Sequence, residues 1–377
     1  MKTGRPAGSR APRAAMVAVT FVLALAGIEV LARAILILRP YYATDARATA
    51  DAYGDADWTA AYYREFRDSG ASVWHPYVHW RRRPYSGTFI NIDGQGRRAS
   101  WRPGELAAGA PAVFVFGGST VWGTGARDDN SAPSELAKVL DASGRAVRVT
   151  NFGESGYVMR QGLDALIGEL LAGARPQAVV FQIGVEDTFA AFQGAEPGQP
   201  QNEDNRVTEF NALQPDAFAS QWRILTTGSH LFGDLLRRNL VSSPAVPVEG
   251  PRAGAVVTHL CSATKIVTAL GRQYGFATVV AWQPVLFTKR RLTAHEVLAA
   301  AQYQSAAPFF ATVYDRVRAG NWCDDPVVTD LSGLADDEAG PMYIDAFHLS
   351  ELGNARLAAR LAPLVAAGLD RVGSSHP

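Results

Sequence analysis

Short apolar runs alternate with amphipathic segments along most of this chain. Residues 112–116 form an unbroken apolar run that ends in glycines, and residues 131–140 carry their apolar positions at helical spacing. The spacing predicts strand, turn, helix. The rhythm recurs, with 146–150 as strand, 161–171 as helix and 178–183 as a third strand. It breaks between residues 188 and 255, where prolines, glycines, glutamines and acidic residues give way to an amphipathic stretch near 231–240. We read an insertion there over the ligand edge of the sheet, serving as a lid or packing element, with a membrane-surface helix as the alternative. A helix from about 256 to 274, strands at 277–282 and 327–331, and a last helix from about 350 to 369 resume the pattern. Strand alternating with helix implies an α/β fold around a parallel sheet.

The amino terminus has a different pattern. Lys2, Arg5, Arg10 and Arg13 precede a weakly polar to apolar run over 14–28, the layout of an export signal. That run is shorter than the roughly 18 residues of a spanning helix, but continued through Leu38 it is long enough. Glu29 and Arg33 would then share a helix face, where they can pair or snorkel. Residues 1–39 are therefore expected to be a basic leader and uncleaved signal anchor; cleavage after Ala26 is the alternative, and either exports the rest. Residues 40–110, rich in aromatics, arginine and glycine, read as a tether and entry flap. In that stretch Trp74, Tyr77, Trp80 and Tyr85 interleave with Arg81, Arg82 and Arg83, a composition that suits flap packing or stacking on sugar rings. Residues 111–377 read as one domain carrying the insertion at about 188–255.

Composition narrows the classes of partner. Lysine plus arginine, 36, equals aspartate plus glutamate, 36, so no overall field points toward nucleic acid, and no such partner is expected. Cys261 and Cys323 allow one disulfide at most, or two free thiols. No metal or cofactor site is expected. Pro76 breaks any helix between His75 and His79, and His295-Glu296 lacks the second histidine of a zinc protease motif.

Two motifs carry chemistry. Gly117-Gly118-Ser119-Thr120 follows the first strand of the alternating region and precedes a helix, which sets a serine hydroxyl at the carboxyl edge of a parallel sheet with free N–H groups nearby. A helix-capping serine has the same local pattern. Far downstream, Asp345 stands three residues before His348 in the loop preceding the last helix, so the carboxylate can turn back onto the imidazole and leave the other ring nitrogen to take a serine proton. In a doubly wound fold both motifs reach the same sheet edge.

Taken in order, these motifs resemble the blocks of the SGNH/GDSL hydrolase superfamily over roughly residues 111–368. Gly117 to Gly125 resembles the first block, with Ser119 as nucleophile and oxyanion donor; Asn151-Phe152-Gly153-Glu154-Ser155-Gly156 resembles the second, whose Gly156 N–H would face the oxyanion. Gly184-Val185-Glu186-Asp187 stands at the third, where the family's asparagine donor is replaced by Glu186, and Asp345-Ala346-Phe347-His348 resembles the last. Trp80 through Asn91-Ile92-Asp93, and Trp282-Gln283-Pro284, resemble a bacterial subgroup with an amino-terminal membrane helix. The resemblance implies a three-layer α/β/α flavodoxin-like fold and a catalytic set of Ser119, Asp345 and His348. Because an ionised carboxylate cannot donate, Glu186 implies a protonated acid, substitution by an amide such as Gln182 or Gln283, or altered activity. The expected function is an extracytoplasmic serine esterase that removes O-acyl, notably acetyl, groups from a glycan or another small ester. It would be held in the bacterial inner membrane by a single pass with its catalytic domain periplasmic, or secreted if the signal is cleaved. An O-acyltransferase acting on an exopolysaccharide or envelope glycan, and a catalytically weak glycan-binding or assembly protein, are the alternatives.

Overall fold

Helix α1 (Arg10–Tyr42) carries the apolar amino-terminal run, and its segment Ala15–Ala34 has a mean hydropathy of 2.3 with none of it buried. It is long and apolar enough to cross a membrane. Glu29 and Arg33 pair on one face of it at 2.9 Å, as their spacing predicts. In this computed structural model the described residues are 10–42, 44–104, 106–107, 109–212, 218, 221, 250–320 and 322–374. The chain divides into two units: Met1–Thr44 with Glu203–Ala245, and Asp45–Asn202 with Val246–Pro377. The predicted amphipathic stretch at 231–240 lies outside the described residues.

The second unit begins with two 3-10 turns, then α2 (Thr59–Asp68) and two antiparallel hairpins, β1 (Ser72–His75) with β2 (His79–Arg82) and β3 (Tyr85–Ser86) with β4 (Asn91–Ile92). The segment read as tether and flap therefore has regular structure. Tyr62, Tyr63, Ile90 and Ile92 pack there around Trp122 in a cluster of their own.

After the hairpins come β5 (Ala112–Phe116), α3 (Ser119–Trp122), α4 (Ala132–Ala142), β6 (Arg148–Asn151), α5 (Met159–Leu171), β7 (Ala178–Ile183) and α6 (Val185–Phe192). The other unit contributes α7 (Glu203–Ala212). The chain then continues with α8 (Gly250–Tyr274), β8 (Ala277–Trp282), α9 (Ala294–Gln302), α10 (Ala307–Arg318), β9 (Val328–Asp330) and α11 (Glu351–Ser374). Strands β5 to β9 form one five-stranded parallel sheet in the order β6-β5-β7-β8-β9. Counted along the sheet's own strands this is 2-1-3-4-5, the flavodoxin-like order.

Both faces of the sheet are covered, which is why its inner strands read as continuous apolar runs rather than alternating ones. The pleat sends Phe114 and Phe116 of β5 to one side, with Phe181 and Trp282, against α5, α8 and α10. Val113 and Val115 go to the other side, with Val180 and Val279, against α4 and α11. Helix α8 passes the length and composition test for a membrane span, but Val256, Leu260 and Val267 bury its inner face in the first of these cores.

Sequence periodicity placed β5, β7 and β8 at their observed bounds and missed α9 and α10, which occupy the crossover between β8 and β9. The region read as insertion also gives up both its ends. Helix α6 runs to Phe192 with Ala190 and Ala191 buried, and α8 begins at Gly250.

Cys261 on α8 and Cys323, which follows α10, are joined in a disulfide that closes a separation of 62 residues. Closing a loop of that length removes roughly 4 kcal/mol of chain entropy from the unfolded state. Cys323→Ser is expected to lower unfolding free energy in urea by about 2–4 kcal/mol without changing the far-UV spectrum. Equal midpoints for variant and wild type would show that the bridge does not constrain the unfolded chain.

Candidate active site

Every predicted site residue lies at the carboxyl ends of the parallel strands. Ser119 follows β5, Gly156 follows β6, Glu186 follows β7, and Asp345 with His348 lie in the loop after β9. The sheet changes direction of winding between β5 and β7, the position where open α/β sheets leave a crevice. Ser119 and His348 are 229 residues apart in sequence, yet Ser119 Oγ lies 2.7 Å from His348 Nε2. His348 Nδ1 lies 2.8 and 2.7 Å from the two Asp345 carboxyl oxygens. Asp345 Oδ1 also accepts the Phe347 and His348 N–H groups, each at 2.9 Å. Its carboxyl is held far below the usual range: burial opposes the charge, and the facing imidazole, these hydrogen bonds and Arg47 outweigh it. A charged acid, an oriented imidazole and a hydroxyl in line can move the hydroxyl proton onto the ring.

Glu186 is the departure. Its Oε1 accepts the Ser119 N–H at 2.8 Å and lies 3.0 Å from Ser119 Oγ, while Gln283 Nε2 donates to its Oε2 at 3.4 Å. A Cβ at position 118 would sit 1.9 Å from the Glu186 carboxyl, so any other residue there would displace that carboxyl from its place beside Ser119. One of the N–H groups that would meet an oxyanion is thus already engaged by an acidic oxygen. Burial pushes the Glu186 carboxyl up, against the opposing pull of His348 and the Ser119 hydrogen bonds. Of the two amides the sequence offers as substitutes, Gln283 holds Glu186 and accepts from Thr120 Oγ1 at 2.9 Å. Gln182 is buried with neither side-chain polar atom bonded among the described residues. Gly156, at φ 77°, has the left-handed backbone that glycine adopts without strain, and its N–H makes no hydrogen bond among the described residues.

The supports of this site are long-range, and sequence patterning identified few of them. Glu296, the acid of the motif set aside as a zinc signature, is fully buried: Oε1 accepts the Met342 and Tyr343 N–H groups at 2.9 and 3.2 Å, and Oε2 takes Lys289 Nζ at 2.5 Å. His295 Nε2 lies 2.9 Å from the Ile344 carbonyl. The start of α9 therefore clamps the loop that carries Asp345 and His348. Arg47 reaches the same loop, 3.4 Å from Asp345 Oδ2, while pairing with Asp45 at 2.7 Å. The composition of its segment carried no sign of that contact. On the other side Arg82 and Glu154 form a buried pair, and Arg82 Nη2 donates to Ser155 Oγ at 2.8 Å. Asn151 Oδ1 accepts the Gly153 N–H at 2.8 Å, and its amide donates to the Val121 carbonyl at 2.9 Å, tying the second block to the serine turn.

Ser119, His348, Glu186 and Gly156 share a cleft of about 270 Å³ with Arg47 and, on its apolar side, Val185, Phe189 and Phe347. The profile of the GDSL-like lipase/acylhydrolase family matches residues 115–356, and the chain belongs to that family. No curated protein sequence matches. Among solved structures, a lipase/acylhydrolase from Enterococcus faecalis is similar at 16% identity, covering 67% of this chain and 94% of that one, with a TM-score of 0.36. A member of the lipolytic G-D-S-L family from Veillonella parvula is similar at 12% identity over 67% of this chain and 97% of that one, TM-score 0.38. The acetyl xylan esterase AlAXEase is similar at 13% identity over 67% and 99%, TM-score 0.36. At these scores only the family profile and the geometry bear on function.

Asp187, beside Glu186, supplies a pH handle. Its buried carboxyl accepts the Met159 N–H at the start of α5 at 3.1 Å. Burial pushes it up to about 7, against that hydrogen bond, and the neighbouring Glu186 adds to the rise. Folded chains then hold this proton where unfolded chains, titrating near ~4, release it. The group's contribution is therefore most favourable below about pH 4 and is lost as pH rises toward about 7. Asp187→Asn is expected to gain up to roughly 4 kcal/mol over wild type at pH 8 and to show no such gain at pH 4. Urea unfolding at the two pH values measures it, and a gain independent of pH would contradict the assignment.

Proposed function

We propose that this chain is an SGNH-type serine esterase acting on the outer side of a membrane. Ser119 is the nucleophile, His348 the base, and Asp345 the group that orients and charges it. Residues 1–39 serve as anchor, 40–110 as tether and entry flap, and 111–377 as the catalytic domain. The observation that carries this reading is the unbroken line from Ser119 Oγ through the His348 ring to Asp345, with each heavy-atom step at 2.7 Å. His348 Nε2 takes the hydroxyl proton as Oγ bonds to the ester carbonyl carbon and the carbonyl electron pair moves onto oxygen. Collapse of that intermediate breaks the ester C–O bond, and the departing alcohol takes the proton from His348. Water repeats the sequence on the acyl-enzyme and releases the acid.

The substrate we assign is a short O-acyl ester, acetyl first, borne by a glycan. The modest cleft and its Val185, Phe189 and Phe347 wall favour a small acyl group. Export is supported by α1 and by the disulfide, which persists in oxidising compartments. Transfer of the acyl group to a sugar hydroxyl is a second reading, favoured by one feature: a carboxyl oxygen 3.0 Å from Ser119 Oγ is an acceptor for an incoming hydroxyl.

In this mechanism Glu186 is neutral when the oxyanion forms, so that its O–H can turn toward the developing charge. As pH rises the carboxylate forms, repels that charge and holds the Ser119 N–H. At pH values where Glu186 is ionised, Glu186→Asn is expected to raise kcat for p-nitrophenyl acetate by about a hundred- to a thousandfold, with kcat close to wild type at lower pH where the acid is neutral, and so to remove the alkaline decline in rate. A variant slower than wild type at every pH would contradict this role. A fluorophosphonate probe should label wild type and leave Ser119→Ala unlabelled, and equal ester hydrolysis by the two proteins would end the serine-enzyme reading.

A further inference from the structure

Resting on that esterase reading, we infer that the hairpin β1–β2 forms a glycan subsite for the alcohol side of the ester. Trp74 and Trp80 are register partners across the hairpin, so their side chains share a face. Trp80 Nε1 donates to the Ser155 carbonyl at 3.1 Å, and its ring edge lies 3.6 Å from where a Cβ on Gly156 would stand. Ser155 and Gly156 line the catalytic cleft. The face that carries Trp80 at the oxyanion corner therefore continues outward to Trp74. His79 lies over Trp74 with ring centroids 5.4 Å apart and planes 9° from parallel, and is 6.3 Å from Trp80.

This row of rings is left open rather than packed. Trp74 is 67% exposed and Tyr77, at the tip, 85%. The tip also holds two non-glycine residues in the left-handed region, Tyr77 at φ 66° and His79 at φ 73°. Such backbone is held against its own preference by the surrounding structure and concentrates at functional sites. Of the four aromatics singled out in the sequence, Trp80 packs, on Tyr157 with centroids 5.5 Å apart, whereas Trp74 and Tyr77 do not bury their rings.

An open indole face edged by the His79 imidazole matches a sugar ring, whose C–H face is apolar and whose hydroxyl edge is polar; Tyr77 lines the groove on the other side of the tip. A bilayer fits less well. His75 and Pro76 interrupt the exposed rings, so there is no continuous aliphatic face. The opposite side of the hairpin opens on a groove of about 460 Å³ that mixes Arg81, Arg82 and Arg97 with Asp164 and Glu169; Arg82 pairs with Glu154 and Arg97 with Glu169, so the groove is mixed in charge rather than a basic patch for anionic headgroups. A glycan laid on Trp74 would run toward Trp80 and present an O-acyl group at Ser119.

The full chain in detergent micelles tests this, assayed with ethyl acetate, whose alcohol is too short to reach Trp74, and with short O-acetylated gluco-, manno- and xylo-oligosaccharides. In Trp74→Ala the ratio of oligosaccharide to ethyl acetate kcat/KM is expected to fall by about tenfold, through KM, the worth of one stacking contact. Deacetylated oligosaccharides should quench tryptophan emission in Ser119→Ala, and the quench should vanish when Trp74→Ala is added. An unchanged ratio overturns the subsite, as does a wild type that cleaves ethyl acetate through Ser119 but none of the oligosaccharides. An emission shift on transfer from micelles to anionic nanodiscs, with no response to oligosaccharide, also overturns it and assigns the hairpin to the bilayer. Loss of the dependence on Ser119 itself would instead overturn the esterase reading, leaving the fluorescence result to stand alone.

Discussion

Parallel pairing of β5 with β7 is the constraint on which the site depends. Val115 stands opposite Val180 and Phe116 opposite Phe181, so β5 ends two residues short of β7 and the two strands release their chains side by side at one edge of the sheet. From one end comes Ser119 and from the other Glu186, and the missing side chain at Gly118 lets them meet. Phe116 stacks between Phe152 and Phe181 at 4.6 and 5.0 Å, fixing the strand ends from beneath. A register slip of one residue would send these rings to the opposite face and part the serine from its neighbours.

Above that edge the site is held by buried charge rather than by apolar packing. Glu296 with Lys289 grips the histidine loop, Arg82 with Glu154 grips the Gly156 loop, and Arg47 reaches Asp345. Paired charges of this kind contribute little net stability, but removing one partner leaves an uncompensated ion in the interior. Their value is geometric: each holds in place a loop that carries a residue of the proposed site. Glu186 has no cation of that kind bonded to it among the described residues, only Ser119 and Gln283, and burial raises its carboxyl accordingly.

Legibility in the sequence followed the range of the interaction. Strands β5, β7 and β8 were legible because a strand buried on both faces must be apolar throughout, and Ser119, Asp345 and His348 because the motifs around them are short and contiguous. Helix α9 was not marked, since a short alanine-rich segment gives a weak periodic signal; α10 was missed although Phe309, Phe310, Val313, Tyr314 and Val317 recur at helical spacing. Arg47, Arg82 and Glu296 were equally hidden. An arginine or glutamate destined for a buried pair has the same sequence pattern as one on the surface, because its partner lies far along the chain.

The sequence by itself determined the doubly wound alternation and the apolar amino-terminal helix, and it singled out the residues proposed for acyl chemistry, since each follows from local periodicity or from a few adjacent side chains. It also showed that an acid replaces the third-block amide. Only the tertiary structure decided what that acid touches: Glu186 engages both the N–H and the hydroxyl of Ser119, a contact across 67 residues set by the register of two strands. It likewise divided the aromatic stretch into a packed Trp80 and an open Trp74 and Tyr77. Burial belongs to the folded chain, and neighbours along the sequence do not specify it.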